Sequence, residues 1–317
     1  MDVVVLIDKR LAVACEPEPK KERMKMDRAD RISIVAIPSV VLVAAIVAWA
    51  GSQGGYAVAG IPLFALCVAL AFIIQWAAFI PAFLKQTEAF YDLTGSITYV
   101  TVMLVAVALS EEVDARSLLL LGMVAVWAIR LGTFLFRRIR AEGKDRRFDA
   151  IKPSFPRFLL TWTVQGLWVS LTLAAALATI TSETKLSLGV FAVVGFAVWV
   201  MGFGIEVIAD RQKSQFRAAP ENAGKFINVG LWSWSRHPNY FGEIVLWVGV
   251  AIIALPVLRG WQWLTLISPL FVTLLLTRVS GLPMLEKRAD EKWGGQPEYE
   301  AYKARTPVLV PRPPRDR

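Results

Sequence analysis

The sequence predicts an all-α, polytopic transmembrane protein. Three observations carry this reading. Of 317 residues, 56% are apolar; blocks of about 20 residues with few charges recur, each long enough to span a hydrocarbon core of roughly 30 Å; and the charges collect between those blocks.

Taken in order, the chain opens with residues 1–31, whose apolar start is too short for a span and whose remainder is rich in proline and charge. This stretch reads as a mobile basic tail. Its basic residues follow the apolar part, unlike a cleavable signal, and translation from Met24 or Met26 would remove most of it. Candidate spans then follow near 32–50, 60–84, 91–109, 117–136, 158–180, 188–208, 240–257 and 262–280. The last two are separated by little more than Pro256, Arg259 and Gly260, the mark of a tight helical hairpin. Connector 1–31 carries eight Lys or Arg, 137–157 is equally basic, and 281–317 is basic again, whereas 51–59 has no basic residue and 181–187 only Lys185. The positive-inside rule therefore gives eight spans with both termini cytoplasmic.

Composition also excludes chemistry. The net charge of +9 comes from residues at membrane margins, which implies contact with membrane lipids and no nucleic-acid partner. Cys15 and Cys67 lie too far apart in kind of segment to pair. His237 is the single histidine, so no metal centre of the di-iron, HExxH zinc or bis-His haem type is expected. The Gly202-Phe-Gly204 pair lacks the third glycine and preceding strand of a dinucleotide fingerprint.

Ionisable groups within spans are costly and mark candidate sites. At the start of the third span, Glu88, Asp92, Ser96 and Tyr99 recur at helical steps and would share one face, although carboxylates there also suit a helix N-terminus. The fourth span ends in Trp127, Arg130, Arg137, Arg138 and Arg140; Arg130 still lies in apolar sequence and needs an anionic partner. After the sixth span, Glu206, Asp210, Ser214 and Arg217 share a face. The densest cluster is GLWSWSRHPNYFGEIVLWVGV at 230–250, where His237-Pro238 delays the helix and Asn239 and Glu243 lie one turn apart. A carboxamide and carboxylate there can bind a ligand's ribose or amide, while Arg236 and free backbone N–H groups can take phosphate. Arg278 and Glu286 follow at the rim of the last span, before an amphipathic segment containing Tyr299 and Tyr302.

These motifs, TEAFYDLTGSITY, WAIRLGTFLFRRIRAEGKDRRF, ADRQKSQFR, GLWSWSRHPNYFGE and RVSGLPMLEKR with PEYEAY, resemble in order those of the steroid 5α-reductase superfamily, most closely its bacterial DUF1295 branch, over roughly residues 60–312. The resemblance implies a seven-helix reductase-like core at 60–317, an extra transmembrane helix and loop at 32–59, and a place in the bacterial inner membrane. It further implies NADPH as cofactor and a lipophilic, steroid-like substrate whose conjugated C=C bond is reduced. Position by position it places Asn239 and Glu243 near the nicotinamide, and Asp210, Arg217 and Arg278 around ribose and phosphates. Arg130, Arg138, Arg140, Arg236, His237, Tyr240 and Glu286 complete the expected cofactor set. The family's carbonyl-binding Glu falls near Asp92 and its assisting Tyr near Trp127, with Tyr91 or Tyr99 as alternative phenols. Two rivals share features: an isoprenylcysteine-type methyltransferase using S-adenosylmethionine, which has a similar RHPxYxG run, and a non-catalytic lipid-binding relative.

Overall fold

The computed structural model describes residues 27–142, 148–279 and 281–314, leaving aside the side chains of Arg138, Ala141 and Glu142. Most of the expected N-terminal tail, including Cys15, and part of the 137–157 connector lie outside the described residues.

Helix α1 spans Arg28–Gly51 and is tied at its start to the base of a later helix, where Arg157 pairs with Asp27 and, at 2.8 Å, with Asp30. A two-residue hairpin, β1 (Ala57–Val58) against β2 (Ile61–Pro62), follows; it turns at Ala59 and Gly60, whose φ values of 51° and 81° lie in the left-handed region. Then come α2 (Leu63–Leu84), α3 (Tyr91–Leu109), α4 (Ala115–Glu142), α5 (Phe155–Thr181) and α6 (Val190–Ala218). Helix α7 (Pro238–Ala254) leads through a 3-10 turn (Gly260–Leu266) to α8 (Ile267–Leu274), a π-helical turn (Leu275–Val279), α9 (Leu282–Trp293) and α10 (Pro297–Arg305).

Seven helical stretches among the described residues are long and apolar enough to cross a membrane, and the protein is a polytopic helical membrane protein. The expected seventh span is shorter than the others. Pro238 fixes its first turn and Pro256 stops its continuation, so α7 has 17 residues and a length of about 26 Å. The expected eighth is a composite, with 3-10 and π turns flanking α8.

Contacts fix the helix directions. Gln75 donates to Thr98 at 2.8 Å and Cys67 to the Val102 carbonyl, while Tyr99 packs on Trp127 and Ser96 lies against Gly132, so α3 runs antiparallel to both α2 and α4. Tyr91 donates to the Thr161 carbonyl and Ser110 to the Ile180 carbonyl, so α3 and α5 run parallel. Helix α5 is the hub: every residue from Val169 to Thr181 is buried. The ends of α4 and α6 and the starts of α3 and α7 consequently meet at one end of the bundle. At the opposite end Arg116, 2% exposed, donates to the carbonyls of Ile253 at 2.7 Å and Ser187 at 2.9 Å, capping the short α7 with a cation.

Candidate functional site

Helices α6 and α7 approach so closely that only glycine fits between them. A Cβ on Gly202 would lie 2.6 Å from the Gly242 carbonyl oxygen, and one on Gly195 2.6 Å from that of Gly249. Two seven-residue glycine steps thus face each other, and they explain Gly202 as a packing residue. One turn beyond Gly202 this contact sets Glu206 against Gly242 and brings Asp210 opposite Asn239.

The polar centre forms there. Arg130 of α4 donates from Nη1 to Glu206 Oε1 and from Nη2 to Asp210 Oδ2, both at 2.5 Å. Asn239 Nδ2 donates to Asp210 Oδ1 at 3.1 Å. Because a carboxylate only accepts, that bond fixes which end of the Asn239 amide points away. Its Oδ1 is left buried and, among the described residues, unpartnered, as is Oε2 of Glu206. Glu243, one turn after Asn239, acts electrostatically on Glu206, Asp210 and Arg130. Four of the expected residues, Arg130, Asp210, Asn239 and Glu243, therefore converge, together with Glu206.

An aromatic cluster lies on the inner side of this centre. Trp127, one turn before Arg130, packs edge-on against Tyr99 (5.1 Å between centroids) and Trp247 (5.0 Å). The Tyr99 hydroxyl and both indole N–H groups are buried, with no hydrogen-bond partner among the described residues. The Trp127 N–H lies towards Glu206 and the Tyr99 hydroxyl towards Thr172. Donors of this kind, held in apolar surroundings, suit an acceptor such as a carbonyl oxygen.

A second group caps the same end. His237 Nε2 meets Glu286 Oε1 at 2.7 Å, Arg236 Nη1 meets Glu286 Oε2 at 2.8 Å, and Tyr240 stacks on the imidazole. Burial pushes the His237 pKa down, against the opposing pull of Glu286. Helix α10 and the chain after it strap this loop in place: Tyr302 donates to the Trp232 carbonyl, Arg236 N–H to that of Pro307, and Ser235 Oγ to that of Leu309.

The remaining expected residues are distributed around this centre. Arg140, Arg217 and Arg278 are exposed at the ends of α4, α6 and the π turn, and the Arg138 side chain lies outside the described residues. Tyr91 is engaged by the Thr161 carbonyl at 3.0 Å and Asp92 is half-buried in the first turn of α3. Asp92 and Tyr99 are seven residues, or about 10 Å, apart along one helix, so they serve different depths. Glu88 precedes α3 and pairs instead with Lys152 at 2.5 Å. Glu206 was expected on the polar face of Asp210 but given no role in the cofactor set, and Trp247 was absent from the expected site. Spacing carries both signals: Glu206 is four residues before Asp210, and Trp247 four after Glu243.

Comparison with known proteins gives the family. Residues 78–306 match the family described as "Protein of unknown function (DUF1295)". The chain is 29% identical over 118 residues to the "3-oxo-5-alpha-steroid 4-dehydrogenase 1" proteins of Rattus norvegicus and Mus musculus. That region is 37% of this chain and 40% of each relative, so the chain spans well under half their length. The Bos taurus protein of the same name is 32% identical over 69 residues, 22% of this chain and 26% of its own. No solved structure matches. With the family match covering most of its length, the chain belongs to the DUF1295 family, within the steroid 5α-reductase-type superfamily.

Proposed function

We propose that the protein is an NADPH-dependent membrane reductase that saturates a C=C bond conjugated to a carbonyl in a lipophilic, steroid-like substrate. The observation that carries this reading is the Arg130–Glu206–Asp210–Asn239 centre set against a buried aromatic cluster whose donors have no partner among the described residues. The names of the rat and mouse relatives point the same way. The protein would sit in the inner membrane with this end and both termini in the cytoplasm, where the cofactor is available.

The residues present fit such a cofactor. Asn239 Oδ1, buried and, among the described residues, unpartnered, would accept from its carboxamide N–H, with Glu243 as a second acceptor. Arg138, Arg140, Arg217 and Arg278 would hold its phosphates, and Asp210 its ribose. When bound, NADPH supplies the hydride. Arg130 holds Asp210, and Asp210 holds the Asn239 amide in one orientation, so the acceptor is aimed before ligand arrives. Tyr99 and Trp127 would donate hydrogen bonds to the substrate carbonyl from water-poor aromatic surroundings, where such bonds polarise it most. Asp92, nearer the cytoplasmic end, is the alternative donor. Arg236, His237, Tyr240 and Glu286 would close the cofactor end, strapped by the segment after α10.

The test is titration of the purified protein with NADPH and, separately, S-adenosylmethionine, followed by NADPH consumption with enones such as progesterone. Binding of NADPH with turnover of an enone is expected. Binding of S-adenosylmethionine instead would replace this reading with the methyltransferase, and binding of neither would leave a lipid-binding relative. If Asp92→Ala left binding and turnover unchanged while Tyr99→Phe lowered turnover, the carbonyl donor would be the phenol.

A further inference from the structure

Glu206 has no role in the scheme above beyond pairing with Arg130, yet its surroundings are unusual for an ionised carboxylate. Three carboxyl groups, Glu206, Asp210 and Glu243, meet one guanidinium, Arg130, whose two terminal nitrogens are both committed at 2.5 Å. From α4 Glu206 faces Arg130 and Trp127; from α7 it faces Glu243, beside Gly242; on its own helix it neighbours Asp210. The adjoining turn at Gly230–Ser233 carries no ionisable side chain. With all three acids ionised the centre would hold two uncompensated negative charges among buried side chains. Glu206 is 2% exposed, and its Oε2 has no partner among the described residues. A proton on Oε2 removes one of those charges and turns the orphaned acceptor into a donor, with Glu243, half-buried and next to Gly242, as its acceptor across the interface.

We propose that Glu206 stores, in the resting protein at neutral pH, the proton consumed by the reduction, and that it acts through Glu243. This rests on the reductase reading. Reduction of a conjugated C=C bond adds one hydride, supplied by the nicotinamide, and one proton. The Glu206 O–H bond breaks, the proton passes by way of Glu243, and a new C–H bond forms with the electron pair held by the enolate. Glu206 is left as a carboxylate beside Arg130 and is reprotonated from cytoplasmic water. Glu206 is thus a positioning residue for the proton, while the groups touching substrate remain those of the aromatic cluster.

Infrared difference spectroscopy of the full chain in nanodiscs reads this directly, with cofactor binding followed separately by nicotinamide fluorescence. Wild type at neutral pH is expected to show the carbonyl stretch of a protonated carboxyl. Glu206→Gln should abolish that band, fold with undiminished thermal stability because glutamine mimics the protonated acid, and keep NADPH affinity within about twofold. Its turnover with progesterone should fall by roughly 10²-fold and lose the wild-type pH dependence. The band surviving in E206Q, the band missing from wild type, or an E206Q protein that fails to fold would each overturn the proposal, the last because it would make Glu206 an ionised structural partner of Arg130. Absence of NADPH binding in wild type would instead overturn the reductase reading and leave the infrared result to stand on its own.

Discussion

Replacing Gly202 by alanine puts one carbon atom where the α6–α7 interface has no room. The methyl group would lie 2.5 Å from the Leu246 nitrogen and 2.6 Å from the Gly242 oxygen, both backbone atoms, whereas ordinary contact begins at 3.4 Å. Neither can rotate away, so the helices must part by about 0.8 Å at this level. The Asn239–Asp210 bond, 3.1 Å long and bridging the same two helices, would stretch to roughly 3.9 Å and cease to be a hydrogen bond. Overpacking costs about 1–3 kcal/mol, and losing a hydrogen bond to a charged group about 1.5–3 kcal/mol. G202A should therefore unfold at a lower temperature in detergent and bind NADPH about tenfold more weakly. Two substitutions separate packing from position. Gly204→Ala, with nothing within 4 Å of the added carbon, should be neutral or slightly stabilising. Gly195→Ala meets an equally tight contact, 2.6 Å from the Gly249 oxygen, but about 10 Å further along the helix; it should lose stability and keep its affinity. Equal NADPH affinity in G195A and G202A would refute the coupling of this interface to the site.

Arg130→Met strands Glu206 and Asp210, and breaking a buried pair from one side costs about 3–5 kcal/mol; thermal melts should show a severe loss that Arg130→Met with Asp210→Asn partly restores. Arg217→Ala and Arg278→Ala remove exposed arginines and should leave stability within about 0.5 kcal/mol. Each should weaken NADPH binding roughly tenfold, less so in high salt, in direct titrations. His237 is held neutral by burial, with its folded pKa below the usual value of about 6.5. The unfolded chain then binds the extra proton first, so stability should fall as pH drops below about 6.5 and level off under the folded value. Melting temperature against pH for wild type and His237→Gln checks this: the variant should lose that part of the slope.

The spans were legible because each rests on one strong signal, twenty apolar residues bounded by charge, and seven helices follow it closely. Where the structure departs, a tertiary contact decides. Helix α7 is tolerated at 17 residues because Arg116, from another helix, caps its end. The face shared by Glu206, Asp210, Ser214 and Arg217 was visible as periodicity. Depth was not, and the structure buries the first two while exposing the last two. Gly202 carried no readable meaning alone, since its reason is Gly242, forty residues away. Trp247 likewise looked like an ordinary span residue until Trp127 and Tyr99 were placed against it.

The hub position of α5 bears on how the protein is made. Helix α5 is the least apolar of the seven long stretches, and nearly all of its central window is enclosed by other helices. Threonine and glutamine side chains such as Gln165, Thr172 and Thr179 would face acyl chains if it entered the bilayer alone. A helix of that kind partitions poorly by itself. The earlier helices α1–α3, which contribute contacts at Arg157, Thr161 and Thr163 along one flank, are already synthesised when it emerges. They offer a ready-made groove, so chain order doubles as assembly order, with the site-forming α6 and α7 laid down after α5 against that scaffold.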